Sequence, residues 1–164
     1  MSQDAFDPTL DLVLERVVEI PKEWIWEAWT EPKHLIHWFT PVPWQTTQAE
    51  IDLRPGGLFR TTMRSPEGQD FDNSGCYLEV VKNRRLVWTD ALVANYRPAT
   101  KTYLESFNFT ARLTLEDHPK GTLYRAVGMH KDAADRKRHE EMGFETGWGK
   151  VLEQLIAYMK GVKG

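Results

Sequence analysis

Residues 132–160 read DAADRKRHEEMGFETGWGKVLEQLIAYMK, and their periodicity decides how the rest of the chain is arranged. Apolar side chains recur at Phe144, Trp148, Val151, Leu152, Leu155, Ile156 and Met159. Those intervals trace one stripe of a helix with 3.6 residues per turn. At 1.5 Å per residue, a helix of about 28 residues here would span about 40 Å. Such a stripe must be buried, and the upstream segments read as strands, so its partner is a sheet. Phe144 and Trp148 are flanked by Gly143, Gly147 and Gly149. Large rings beside bare backbone make a poor lid for a solid core and suggest a cavity. The spacing of Gly143 and Gly147 puts both on one helix face, at about 1 kcal/mol each relative to alanine. Either the cavity wall is flexible there or helix and sheet pack tightly.

Working back from the helix, Thr122 to His130 is the last strand. Its buried face is either Leu123, Val127 and Met129, which fits a solid core, or Tyr124, Ala126 and Gly128, which leaves room for a ligand. Tyr103 to Leu115 alternates, with Phe107, Phe109, Ala111, Leu113 and Leu115 on one face. Ala94 to Thr102 has neither period and is expected to be a loop. Asp70–Val81 and Leu86–Val93 form a strand pair about Lys82-Asn83-Arg84. Gln45–Leu53 and Leu58–Arg64 form another about Pro55-Gly56-Gly57, a turn by residue chemistry. At the N-terminus, residues 10–20 form a half-buried strand whose apolar face is interrupted by Arg16. Pro21 opens a helix reaching Thr30, Pro32 breaks it, and a second short helix carries Leu35, Ile36 and Phe39.

The order is strand, two short helices, six strands, one long helix. Short turns make consecutive strands antiparallel, so the expected class is α+β: a curved antiparallel sheet gripping one long helix. One domain over 1–164 is expected, with residues 1–8 a flexible N-terminus. Apolar residues at 41% and charged residues at 27% match an ordinary globular protein. A net charge of −3 argues against nucleic acid or an anionic membrane as partner. The polar start and the absence of 18 consecutive apolar residues predict neither signal peptide nor membrane span. Cys76 is the single cysteine, which leaves no disulfide framework or thiolate cluster and makes the cytoplasm the default location. Seven tryptophans suit a pocket for something large and flat, although each can equally fill core.

An ordered set of residues carries a family resemblance: Arg16-Val17 with Pro21, Trp29-Thr30-Glu31-Pro32, His37-Trp38-Phe39, and Pro55-Gly56-Gly57 followed by Phe59. Gly75, Tyr77 and Glu79, then Leu86, Val87 and Thr89, Gly121-Thr122, and Gly147-Trp148 with Leu152 and Leu155 complete it. The chain resembles the helix-grip (START-like, SRPBCC) superfamily, in the group homologous to the heat-shock-protein-90 ATPase activator. That resemblance implies a seven-stranded antiparallel sheet, two short helices after the first strand, and a hydrophobic cavity under the last helix. Superfamily members bind lipids, sterols and polyketides, and some are cyclases or dehydratases. The chain departs from the eukaryotic activator in lacking a separate N-terminal chaperone-binding domain, which puts chaperone stimulation in doubt.

A cavity of this kind would be lined by Phe59, Met63, Tyr77, Trp88, Phe107, Phe109, Tyr124, Phe144 and Trp148. The favoured reading is non-catalytic binding of an apolar or aromatic small molecule, with Tyr77 or Arg16 orienting a polar end and the loop around Tyr96 gating access. A buried Arg16 needs a carboxylate such as Glu79 or Glu105, or a ligand. The alternatives are a cyclase or dehydratase on the same scaffold, and a chaperone-associated stress protein whose exposed patch would be Trp24 and Trp26. Further partners would then be a chaperone or a second copy in a homodimer. His34 and His37 share a helix face, but no third ligand is near, so no metal is expected; His118, His130 and His139 show no pattern. No nucleophile elbow or phosphate-cradling loop implies a catalytic group or cofactor.

Overall fold

The alternating segments become strands, and their parity sets which side chains face inward. In the computed structural model, which describes residues 5–100 and 107–164, β1 (Asp11–Val18) leads into α1 (Lys22–Thr30) and α2 (Pro32–Leu35). Pro21 caps α1, and Pro32 opens α2 where a missing N–H does no harm. Next come β2 (Gln45–Ile51), β3 (Leu58–Arg64), β4 (Asp70–Val81) and β5 (Arg85–Thr89), followed by the short β6 (Leu92–Val93) and β7 (Arg97–Pro98). Last are β8 (Thr110–His118), β9 (Gly121–Met129), α3 (Ala133–Glu141) and α4 (Phe144–Lys163). Seven strands form one antiparallel sheet in the order β1-β9-β8-β5-β4-β3-β2. Register shifts at Thr46/Gln48 and Tyr77/Glu79 bend it around the helical layer. The class is α+β with the helix-grip arrangement.

Three sequence expectations are corrected. The strand expected over 86–93 stops at Thr89, because the next side chain, Asp90, is drawn into a bond with the Phe109 amide (2.9 Å). The expected loop over 94–102 holds a turn at Ala94–Tyr96 and β7, which pairs with β6. The expected 28-residue helix is two helices. Gly143, with φ 92°, adopts a left-handed conformation that stops α3 and starts α4 in a new direction. The beginning of the strand expected from Tyr103 lies outside the described residues.

Leu12, Leu14, Ala111, Leu113, Leu86 and Trp88 are buried on the concave face, and α4 lays Phe144, Leu152, Leu155 and Met159 against it. Tyr124, Ala126 and Gly128 also face the helix. A side chain at Gly128 would meet the Phe144 ring at 3.1 Å. The convex face is polar, with cross-strand ion pairs such as Arg60–Glu50 and Arg125–Glu15. One α4 side chain fixes the segment after α2. Gln154 donates to the carbonyls of Trp38 (3.0 Å) and Thr40 (2.8 Å) and accepts from the Val42 amide. That clamp holds Phe39, Thr40 and Pro41 beside the first half of α4.

Candidate functional site

The C-terminal half of α4 is packed down on the sheet, while in its first half Gly147, Trp148 and Val151 border open space. A cavity of about 470 Å³, partly open to solvent, lies between them. Its sheet wall carries Phe59, Thr61, Met63, Ser74, Trp88 and Phe109, and its helix wall carries Phe144, Gly147, Trp148 and Val151. Trp29, Phe39, Pro41 and Trp44 close one side, and His139 of the last turn of α3 stands with Met142 at another. The aromatic walls brace one another. Trp29 meets Trp38 and Trp88 at 4.9 and 5.1 Å, and Phe144 meets Trp148 at 4.7 Å. Contacts of this kind hold rings in place without filling the space between them.

Two titratable groups interrupt the apolar lining. His130 Nδ1 lies 2.8 Å from the Leu10 carbonyl, which can only accept, so Nδ1 carries the proton. Its Nε2 is then an acceptor, and His139 Nδ1, 2.8 Å away, must donate to it. In the neutral His139 ring this leaves Nε2 bare, on a side chain that lines the cavity. Burial pulls the His139 pKa down to about 4, which keeps the ring neutral. Asp90 is the second group. Its Oδ1 accepts the Phe109 amide, and burial pushes its pKa up to about 6. Phe109 stands between the two groups, since its ring also packs on His139 at 4.7 Å. No lysine or arginine lines the cavity among the described residues.

The expected site residues divide accordingly. Phe59, Met63, Trp88, Phe109, Phe144 and Trp148 line the cavity. Tyr77 does not: it is fully buried, stacked against Phe59 at 5.2 Å, with no hydrogen-bond partner for its hydroxyl among the described residues and desolvation raising its pKa. Phe107 packs behind the cavity on His130 and His139, and Tyr124 lies in the core. Arg16 is exposed, contrary to expectation. Its guanidinium would lie 2.9 Å from a side chain placed at Gly149, and the bare glycine lets the arginine reach water across α4. Glu79, one proposed partner, pairs with Arg85 at 2.7 Å, and Glu105 lies outside the described residues. Tyr96 is also absent from the lining; its ring rests on Gly56. Trp26 is buried and Trp24 half-buried against the core, so α1 offers no exposed tryptophan patch.

Asp90, His139, Trp29 and Trp44 line the cavity without having been expected there. The signal for Asp90 was available, since it continues the alternation of Leu86 and Trp88. The His130–His139 contact had no such signal, because it depends on how α3 folds back over β9. His34 and His37 pack on α4: His34 Nδ1 lies 2.8 Å from the Tyr158 hydroxyl, and His37 stacks on that ring at 4.8 Å. Glu27, Glu31 and His34 bring donor atoms within 4.8 Å of one another. The Lys163 ammonium, 3.1 Å from Glu27, already supplies a cation there. Cys76 is a buried core thiol. No helix among the described residues is long and apolar enough to cross a membrane.

A family model described as activator of Hsp90 ATPase homolog 1-like protein matches residues 19–160. A crystal structure of a Nitrosomonas europaea protein superposes with TM-score 0.91 at 46% identity, covering 96% of this chain and 99% of that one. An AHSA1-like protein from Aeromonas hydrophila, solved by NMR, superposes at 0.65 with 21% identity, covering 94% of each chain. An AHSA1 protein from Silicibacter pomeroyi gives 0.66 at 22% identity, covering 92% of this chain and 97% of that one. The last two likenesses concern the fold alone. No curated protein matches.

Proposed function

The chain belongs to the activator of Hsp90 ATPase homolog 1-like family, and on that scaffold we propose that it binds an apolar, aromatic or acyl-bearing small molecule in the cavity under α4, without catalysis. The observation that carries this reading is about 470 Å³ of unfilled space walled by four tryptophans and four phenylalanines. Small-molecule pockets have volumes of roughly 300–1,000 Å³ and a mostly apolar lining with a few placed polar groups. A guest burying about 250 Å² of apolar surface gains roughly 6 kcal/mol before association costs are subtracted. Polar contacts then have to set which guest is kept. The cytoplasm is the working compartment in this reading, consistent with a single buried thiol.

The four wall tryptophans make the test direct. Titration with fatty acids, flavonoids and polyketides should change intrinsic fluorescence and raise the melting temperature together. If no member of the panel moves either signal, the binding reading fails. A second reading, a cyclase or dehydratase, is favoured by one observation: a carboxyl near its titration midpoint and a neutral imidazole flank Phe109 on the cavity wall. Incubation with β-hydroxy carbonyl compounds and mass spectrometry for loss of water distinguishes the two. Turnover abolished by Asp90→Asn would establish the enzyme; unchanged compounds would leave binding alone.

A further inference from the structure

We infer that the ligand is an aromatic molecule whose polar end is an O–H or N–H donor, and that His139 Nε2 and Asp90 select it over aromatic carboxylates. The inference rests on the cavity-binding reading and adds to it the chemistry of the guest's polar end.

Three observations carry it. First, the chain of bonds from the Leu10 carbonyl through His130 to His139 consumes both His130 nitrogens and His139 Nδ1. The remaining His139 nitrogen, Nε2, is therefore an acceptor in the neutral ring, and no described residue donates to it. Second, Asp90 spends Oδ1 on the Phe109 amide, and among the described residues only its own backbone amide otherwise reaches the carboxylate, which leaves accepting capacity for a guest. Both residues line the cavity and both touch Phe109, His139 at its ring and Asp90 at its backbone amide, so a flat guest beside Phe109 can turn a donor toward either. Third, no arginine or lysine lines the cavity among the described residues. A carboxylate entering it would lose its water with no cation in exchange and would face the Asp90 charge. Trp29 belongs to the wall, but its indole Nε1 is itself buried, and one neutral donor does not supply that compensation. The threonine, serine, asparagine and indole donors at the wall are all neutral, and none supplies the countercharge that a buried carboxylate needs.

The selectivity is asymmetric for a physical reason. A pocket that offers buried acceptors penalises a guest that leaves them unpaired, and a guest that brings another anion is penalised more.

Three probes of one size test this: 2-naphthol, 2-methoxynaphthalene and 2-naphthoate, titrated against the full chain at pH 7.5 by tryptophan fluorescence and calorimetry. The donor-bearing naphthol is expected to bind about tenfold tighter than its methyl ether, with naphthoate the weakest. Asp90→Asn keeps the Oδ1 contact and removes the charge, and should narrow the gap between ether and naphthoate. His139→Phe keeps the ring packing and should narrow naphthol's advantage over the ether, with Asp90 left as the remaining acceptor. That variant gives up the His130 bond, so the wild-type series and Asp90→Asn decide the matter if it folds poorly. Naphthoate binding as tightly as naphthol, or the ether matching naphthol, overturns the inference while leaving cavity binding intact. Failure of all three probes to bind overturns both.

Discussion

Burial moves the pKa values of Asp90 and His139 in opposite directions around one phenylalanine. The carboxyl has a folded pKa of about 6 against an ordinary 3.8, so its contribution to stability is present below 3.8 and lost as the pH rises through 6. The imidazole has a folded pKa of about 4 against 6.5, so its contribution is present above 6.5 and lost as the pH falls through 4. Between about pH 4 and 6 the two slopes oppose each other and flatten the stability profile. Asp90→Asn removes one of them. The variant should be more stable than the parent at pH 7, by on the order of 1 kcal/mol after solvent screening, and equal to it below pH 4. Its profile should then fall visibly on acidification from pH 6.5, under His139 alone. Urea midpoints at pH 7, 5.5 and 4 check this, and an equal gain at all three would refute the desolvation argument. Gly147 supplies a second residue-scale prediction. A side chain added there meets nothing within 4 Å, and the position is inside α4. Gly147→Ala should therefore stabilise the chain by up to about 1 kcal/mol, measured as a higher urea midpoint. A glycine kept where alanine fits the space is consistent with a site that keeps its volume open.

At the scale of elements, the break between α3 and α4 depends on Gly143. Nothing lies within 4 Å of a Cβ built there, so Gly143→Ala has no clash to suffer and only the left-handed backbone at φ 92° to resist. The expected loss is about 1–2 kcal/mol, with the m-value unchanged and Gly143→Asn milder, because asparagine tolerates that conformation. Equal stability of parent and alanine variant would mean that the turn is not held left-handed in solution. This element also marks where the sequence stops being legible. The stripe from Phe144 to Met159 and the alternation in β1 and β8 were readable because burial on one face imposes its period on the chain. The break at Gly143 carried a C-terminal cap signal, with His139 in the last turn and glycine after it. Apolar periodicity resumes immediately afterwards, and it hid that signal by suggesting a continuous helix. Arg16 misled for the related reason that strand parity gives a face but not its depth. Its neighbour across the layer is Gly149, whose missing side chain opens a path to water.

Across the whole molecule, one half of α4 stabilises the fold and the other half leaves a space. Leu155 and Met159 are fully buried, whereas Trp148 and Val151 border the cavity. A guest in that space binds the folded chain and has nothing equivalent to bind in the unfolded one. Its stabilisation therefore follows mass action: about 2.7 kcal/mol when the free ligand is at 100 times its dissociation constant. For a chain of this length, each kcal/mol moves the melting temperature by roughly 2–4 °C, so a saturating guest should raise it by roughly 5–10 °C. Gly147→Leu places an isobutyl group in the same space from the helix wall. It should leave the unliganded melting temperature at or above that of the parent, because leucine also favours the helix, yet abolish the ligand-dependent rise. Differential scanning calorimetry of both chains with and without a bound naphthalene-sized probe separates the possibilities. A rise that survives in Gly147→Leu would place the guest outside the space under α4. A fall in the unliganded melting temperature would show that this space is narrower in solution than its lining indicates.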